Sequence, residues 1–524
     1  MDVRNSHENA AKIVEERINA FVRGVSASPT HDWSNVDKIS QRLATDAGMR
    51  SDMTQYHLQI WQPLRHFWQL LAAEEVGRDV DDDRPWDAIL SVARLTRNLI
   101  AAVSENQKLA YEYEPAIREL LFQYTTFTLA KDADSYPAVR MLVQTISNII
   151  TSNDELSAKL WITYMSLPHE KSIVLRLLTH PDTRTRESCM VLVLNCISGS
   201  EARIQSLIET SSGVRICVTL LDQIAAASDS DDGEESRIFD IGYTILSQVI
   251  AAGLFPSLYV SCSVAGETVS PHQAVLLKLL DSYLHANQSS KTPTIHADAC
   301  DSLLAIFDKL GVAARASITR SLGAVAESAG DAELKGVDLD LPKVCEALVL
   351  ATQCLTTIVL AWEDGQIPSR AFNPRKLLEE ARNKANEGFA EGLVDLLRQL
   401  DRFIPKLQFG KPIGAAPNAN ATAASTGEVG FFYLKRDLVR LLGVLAWSSR
   451  SIQDRVRACD GIPVVMNLCV VDERNPFMRE HALFALRNLL HSNEQNQAIV
   501  DQIRPSAKWD EDGVLRETAG TVWR

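Results

Sequence analysis

Three observations predict an all-α fold built as a helical-repeat solenoid: apolar residues recur at helical spacing, alternating strand-like runs are scarce, and short motifs return at intervals of tens of residues. Ala482, Ala485, Leu486, Leu489 and Leu490 fall at i, i+3, i+4, i+7 and i+8, a stripe that one helix buries against a neighbour. Leu64, Phe67, Trp68 and Leu71 repeat the pattern, as do Leu276, Leu277, Leu279, Leu280 and Leu284. A chain of 524 residues exceeds what one hydrophobic core serves, which leaves several domains or an elongated array. The recurring motifs favour the array.

Arg97-Asn98-Leu99 is followed by Asn106-Gln107, and Arg487-Asn488-Leu489 by Asn496-Gln497, so the asparagine-to-asparagine offset is eight in both. Weaker echoes stand at Ile146-Ser147-Asn148-Ile149 and Leu194-Asn195-Cys196-Ile197, which space Asn98, Asn148 and Asn195 by 50 and 47 residues. Armadillo and HEAT units run to ~40–47 residues, so the expected fold is an armadillo/HEAT-like helical-repeat superhelix, an α-α solenoid.

Met1 to Arg17 carries Asp2, Glu8, Glu15 and Glu16 and lacks the apolar core of a secretory signal. Trp61, Trp68 and Trp86 are expected to pack a helical cap on the first repeat, whose outer side has no neighbour. Residues 227–236 read ASDSDDGEES and are expected to form a solvated acidic loop, offering Ser228 and Ser230 to a kinase. Ala347 to Trp362 is strongly apolar but interrupted by Thr352, Gln353, Thr356 and Thr357, and reads as a buried helix rather than a membrane span. Residues 410–430, GKPIGAAPNANATAASTGEVG, have the composition of a flexible linker. The expected organisation is therefore repeats over 1–409, a linker over 410–430, C-terminal repeats over 431–503 and a tail over 504–524.

Lys plus Arg is 53 against 67 for Asp plus Glu, a net charge of −14 that argues against nucleic acid and anionic membranes as ligands. Nine cysteines are scattered among apolar residues with no CxxC pair, which points to reduced, buried thiols in the cytosol or nucleus. HExxH, GxSxG, GxGxxG and GxxxxGK[ST] are absent and the eleven histidines are dispersed, so neither a metal, a cofactor nor an enzymatic activity is expected.

Asp460 to Val500 looks like an armadillo repeat: Gly461-Ile462-Pro463 to start one helix, Asn475-Pro476 to start a second, and Ala485-Leu486-Arg487-Asn488-Leu489 within a third. The stretch Phe432 to Ile503 resembles, more narrowly, the C-terminal domain of the ataxin-10 family. The residues that carry the resemblance are Asp437-Leu438-Val439-Arg440-Leu441-Leu442-Gly443, Asp460-Gly461-Ile462-Pro463, Asn475-Pro476-Phe477-Met478-Arg479-Glu480 and Arg487-Asn488-Leu489. Val444 departs from the asparagine expected at that turn. The resemblance implies an armadillo-like fold, no catalytic activity, a mainly cytoplasmic location, and links to cytokinesis and cell survival.

Such an array presents side chains repeated along one face to other proteins. Asn98, Asn148, Asn195 and Asn488 are the candidate contacts, because an amide matches the donors and acceptors of a peptide backbone. The alternative is that these amides satisfy neighbouring helix ends inside the stack. Asn475, Arg479 and Glu480 form a second candidate patch, with Phe477 expected to plug the core between repeats. A nuclear-import adaptor on the same fold would resemble a pattern with a tryptophan four residues before each groove asparagine; Arg94, Gln144, Val191 and Phe484 occupy those positions and supply no such aromatic array. An exposed repeat end makes self-association a further expectation.

Overall fold

The computed structural model describes residues 2–23, 32–76, 78–79, 83–228, 233–286, 297–327, 340–365, 372–404, 406–408, 411–413, 429–475, 477–502, 507–509 and 515–517. It divides into two compact units, Met1–Ser261 and Cys262–Arg524. The composition break at 410–430 falls within the second unit; residues 411–413 are a strand, 429–430 open a helix, and 409–410 and 414–428 lie outside the described residues.

The first unit comprises α1 (Asp2–Val22), α2 (Ser34–Thr45), α3 (Ala47–Asp52), α4 (Gln62–Glu75), α5 (Trp86–Leu99), α6 (Ser104–Tyr111), α7 (Glu114–Tyr124), α8 (Tyr136–Ile150), α9 (Asp154–Met165), α10 (Ile173–Leu178), α11 (Thr183–Ile197), α12 (Glu201–Glu209), α13 (Ser211–Ser228), α14 (Gly233–Ala251) and α15 (Phe255–Ser261). Three-helix repeats are evident in α6–α8, α9–α11 and α12–α14. Their third helices stack side by side, so that α2, α5, α8, α11 and α14 form one row. Within that row α8 buries Ala138, Val139, Leu142, Val143, Ile146, Ile149 and Ile150, and each large aliphatic side chain removed from water contributes about 1.5–3 kcal/mol. Trp61, Phe67 and Trp68 are buried beneath α1 and α2, where Phe67 meets Phe21, Trp33 and Trp68 in a cluster of rings.

The repeats begin where the residue types favour it. Asn153 and Ser200 cap α9 and α12, and Asp182 caps α11, each side-chain oxygen accepting from a first-turn backbone N–H. The residue before the N-cap of α6, α9 and α12 is left-handed: Ala102, Ser152 and Gly199 have φ of 57, 58 and 74°.

The expected acidic loop at 227–236 is largely helical. Ala227 and Ser228 close α13, Gly233–Ser236 open α14, and only 229–232 lie outside the described residues. Glu234 and Glu235 sit in the first turn of α14, where the helix dipole favours anions, and Arg184 and Arg186 of α11 pair with them at 2.7 and 2.8 Å.

His180, which precedes α11, shows how tightly the repeats close. Its buried Nδ1 accepts from the backbone N–H of Asp182 at 3.1 Å, its ring meets Tyr136 edge-on, and its Nε2 has no partner among the described residues. Burial pushes the imidazole below its ordinary value of 6.5; Asp182 opposes this, and Arg186 and Arg140 add to it. The folded unit thus favours neutral His180, and its contribution to stability is full above about pH 6.5 and is lost as pH falls through the depressed folded value. Urea midpoints are expected to drop on acidification in that window, and His180→Gln is expected to flatten the slope; an unchanged slope removes His180 as the cause.

The second unit comprises α16 (Pro271–Ala286), α17 (Ala297–Glu327), α18 (Leu341–Glu363), α19 (Pro374–Glu380), α20 (Phe389–Phe403), α21 (Val429–Ala446), α22 (Arg450–Ala458), α23 (Gly461–Leu468), α24 (Met478–Leu490) and α25 (Glu494–Gln502). Two antiparallel ladders accompany them: β1 (Lys406–Gln408) with β2 (Lys411–Ile413), and β3 (Ala507–Trp509) with β4 (Leu515–Glu517), the second within the expected tail. Here α18, α21 and α24 form the third-helix row, and α18 is also covered by α16 and α17. α18 is long and apolar enough by composition to cross a membrane, but 72% of its apolar window is buried within the protein, in keeping with the expected core helix.

The C-terminal repeat starts earlier than its sequence suggests. Its three helices are α22, α23 and α24; the segments expected as separate helices near Asn475 and at Ala485 are one continuous helix, because no breaker separates Met478 from Leu490. β1 is fastened to this repeat by Asp472, whose carboxylate accepts from the Leu407 N–H at 3.1 Å. Beside it the buried Lys435 of α21 donates to the Ile404 carbonyl at 3.0 Å. Burial pushes the Lys435 ammonium down, with Asp401 and Asp472 pulling in the opposite direction.

Candidate protein-interaction face

The last carbonyls of a helix have no partner within it; side chains supply one to Arg97 of α5 and Gly443 of α21, whereas the Ser40 carbonyl that also accepts lies inside α2. Asn98 donates to the Ser40 carbonyl at 2.9 Å, Asn148 to the Arg97 carbonyl at 3.2 Å and Asn488 to the Gly443 carbonyl at 2.9 Å. Asn195 donates to the Ser147 and Thr151 hydroxyls at 2.9 and 3.2 Å. Each amide therefore reaches back to the third helix of the preceding repeat: α5 to α2, α8 to α5, α11 to α8, α24 to α21. Asn98, Asn148 and Asn195 remain half-exposed and their Oδ1 atoms make no hydrogen bond among the described residues, whereas Asn488 is buried.

A second series of contacts is invisible in the residue types. The carbonyls of Leu99, Ile150 and Ala446 accept from Asn106 at 2.8 Å, Ser157 at 3.1 Å and Gln453 at 3.2 Å. Those of Cys196 and Leu489 accept from Arg203 and from Asn496, the latter at 2.8 Å. Donor and acceptor are seven residues apart in every case. Four residue types perform one task, tying the end of a third helix to the first helix that follows.

Along the row of the first unit, several charged side chains pair between helices, although Arg97 has no ion pair among the described residues. Arg94 meets Asp37 at 3.0 Å, Arg140 meets Asp182 at 2.8 Å, and Gln144 donates to Ser188 at 3.3 Å. Arg94 and Gln144 stand where an import adaptor needs aromatic rings, and both are committed to neighbouring helices.

The second unit differs. Tyr433, Arg440 and Trp447 on α21 and its end lie seven residues apart, as do Phe477, Phe484 and His491 along α24, so each trio lines one side of its helix. Trp447 and His491 meet with ring centroids 5.2 Å apart, and Phe484 lies over Gly443, so the two stripes run side by side. Tyr433 is 42% exposed, Trp447 41%, Phe477 64% and Phe484 41%. Arg436 covers the Tyr433 ring at 4.6 Å and pairs with buried Asp437, which also accepts from Gln353 of α18 at 2.7 Å. Arg440 and Arg487 are exposed and form no ion pair among the described residues.

Phe477 is thus not the expected core plug. It precedes α24 and turns outward, while the adjacent Met478 takes the buried position. Asn475 is buried in the preceding turn, its carbonyl accepting from the Met478 N–H at 3.1 Å. Arg479 and Glu480 are both exposed, at consecutive helical positions that diverge by about 100° around α24. Tyr433, Arg440 and Trp447 escaped the sequence reading, although their sevenfold spacing, matched by Phe477, Phe484 and His491, was present in it.

No group of three or more His, Cys, Asp or Glu side chains is arranged to hold a metal among the described residues. All nine cysteines are free thiols, and burial pushes Cys196, Cys300 and Cys345 up to about 12, which suppresses thiolate chemistry. In the cleft between α17 and the 382–392 segment, Arg315 is already engaged with Glu387 and the Gly392 carbonyl at 3.3 and 3.2 Å.

Residues 434–522 match the family model of the spinocerebellar ataxia type 10 protein domain, which runs from within α21 to beyond β4 and contains the aromatic stripes except Tyr433. The C-terminal part of the chain thus carries an ataxin-10 domain. Bovine ataxin-10 is 36% identical over 127 residues, 24% of this chain and 25% of the bovine protein. The ataxin-10 homolog of Dictyostelium discoideum is 37% identical over 70 residues, 13% of this chain and 12% of its own length. The matched stretch thus spans about a quarter or less of these relatives. A solved structure of SYS-1 aligns over 94% of both chains at 11% identity with a TM-score of 0.30. The armadillo-like fold rests on the observed three-helix repeats and their stacked third helices.

Proposed function

We propose that this chain is a non-enzymatic scaffold of the ataxin-10 type that holds protein partners on its third-helix faces, acting in the cytoplasm in the control of cytokinesis and of cell growth or survival. The observation that carries the reading is the pair of solvent-facing stripes on α21 and α24: large aromatic side chains and unpaired arginines on a rigid, preformed surface are the residues that dominate binding energy at protein interfaces. Helices already locked together by the asparagine and seven-residue contacts lower the ordering cost of binding. The free Oδ1 atoms of Asn98, Asn148 and Asn195 add acceptors for a partner backbone. Self-association belongs to the same reading.

The test is site-directed photo-crosslinking in cells of the intact chain. Crosslinkers at Gln144 and Arg440, on third helices, are expected to trap proteins, and those at Lys159 and Gln205, on first helices, to trap few. Equal yields from both sets, or none from the third helices, defeat the scaffold reading.

A further inference from the structure

We propose that the ridge formed by α21 and α24 is a docking site for an acidic segment of a protein partner that carries aromatic or aliphatic side chains between its carboxylates. The inference rests on the scaffold reading above and specifies the chemistry of what is held.

Charge complementarity selects the occupant. Along the third-helix row of the first unit, Arg94, Arg140, Arg184 and Arg186 each face a carboxylate of a neighbouring helix or its cap. On the α21–α24 ridge, Arg440 and Arg487 have none within ion-pair distance among the described residues. The carboxylates near its centre are Asp437, buried and neutralised by Arg436, and the exposed Glu480. The half-buried His481 registers the balance: after burial, Arg440 and Arg436 press its protonation down more strongly than Asp437 and Glu480 raise it. A net positive strip thus lies on a chain whose total charge is −14.

Geometry supplies the apolar half. Tyr433, Arg440 and Trp447 run beside Phe477, Phe484 and His491 at a constant numbering offset of 44, with Trp447 meeting His491, so the Arg440 guanidinium stands between two rings along α21 and beside a row of rings on α24. Of the exposed large apolar side chains in the second unit, Tyr433, Trp447, Phe477, Leu483 and Phe484 belong to these two helices or their ends. A basic segment meets Arg440 and Arg487 unfavourably, and a purely apolar one leaves two guanidiniums desolvated without a partner. An acidic segment with interleaved apolar residues satisfies both.

The probe is a fluorescein-labelled peptide of alternating glutamate and phenylalanine, with its lysine–phenylalanine counterpart, titrated with the full chain by anisotropy at low and high salt. The acidic peptide is expected to bind and to weaken with salt, and the basic one not to bind. Arg440→Glu with Arg487→Glu is expected to cut affinity at least about tenfold, Phe477→Ser to weaken it, and Arg215→Glu in the first unit to leave it unchanged. Circular dichroism checks the fold, and Arg440→Gln with Arg487→Gln gives the same answer if the reversal unsettles it. Binding of both peptides alike, of neither, or of the acidic one undiminished by the double substitutions overturns the proposal. So does sedimentation showing that a second copy occupies the ridge and excludes the peptide. Third-helix crosslinks that persist while the acidic peptide fails to bind would defeat this proposal alone; loss of both would defeat the scaffold reading with it.

Discussion

Asn106→Asp is expected to destabilise the first unit by roughly 3–5 kcal/mol, beyond the roughly 2–3 kcal/mol expected of Asn106→Ala. Asn106 is fully buried; its Nδ2 donates to the carbonyls of Leu99 and Arg50, both at 2.8 Å, and its Oδ1 accepts from the Thr54 hydroxyl at 2.7 Å. Alanine removes the amide donor from two carbonyls, while the Thr54 hydroxyl keeps the Ser51 carbonyl at 2.8 Å. Aspartate keeps the shape and the Thr54 contact but replaces the NH2 with an oxygen, placing a buried negative charge against two carbonyl dipoles. The aspartate's folded pKa must therefore rise, and the loss should shrink as pH is lowered and a protonated carboxyl can donate again. Urea denaturation at two pH values measures both effects. An Asp variant no worse than Ala, with no recovery in acid, shows that the amide-to-carbonyl contacts contribute little.

Asn106 also shows why only part of the repeat was legible. Its offset of eight from Asn98 recurs between Asn488 and Asn496 because the same residue types fill both positions, and the structure gives the two asparagines of each pair matching duties. At Ser157, Arg203 and Gln453 the same seven-residue contact is made by a hydroxyl, a guanidinium and a different amide, so identity disappears while the geometry persists. Helical periodicity sufficed for the stacked third helices. It did not suffice for residues 227–236, where Glu234 and Glu235 in the first turn of α14 pair with arginines about fifty positions earlier on α11, a contact that local composition does not reveal. The Nδ2 atoms of Asn98, Asn148 and Asn195 reach the preceding third helix while their Oδ1 atoms make no hydrogen bond among the described residues, and whether a ring such as Phe477 faces core or solvent turns on which of two adjacent positions begins the buried stripe.

The second large effect falls on α21. Gly443→Val is expected to cost about 3 kcal/mol and Gly443→Ala about 1–2 kcal/mol. A Cβ at this position stands 2.8 Å from a Phe484 ring carbon and 2.9 Å from the Ala485 Cα. The ring can swing aside; the backbone of α24 cannot. Glycine inside a helix is a liability of about 0.5–1 kcal/mol relative to alanine, so substitution would stabilise α21 if propensity alone decided. The clash must exceed that gain for the glycine to be useful, and valine adds two methyl groups to it. Moving α24 outward also stretches the 2.9 Å bond from buried Asn488 to the Gly443 carbonyl, leaving an amide unmet. Thermal denaturation with circular dichroism reads the order valine, alanine, glycine in rising stability; Gly443→Ala more stable than the native chain would show that α21 and α24 are not held at their limit of approach. Because Phe484 packs on this glycine and Arg440 lies one turn before it, the same separation is expected to widen the ridge, so Gly443→Val should weaken acidic-peptide binding even at temperatures where the chain remains folded.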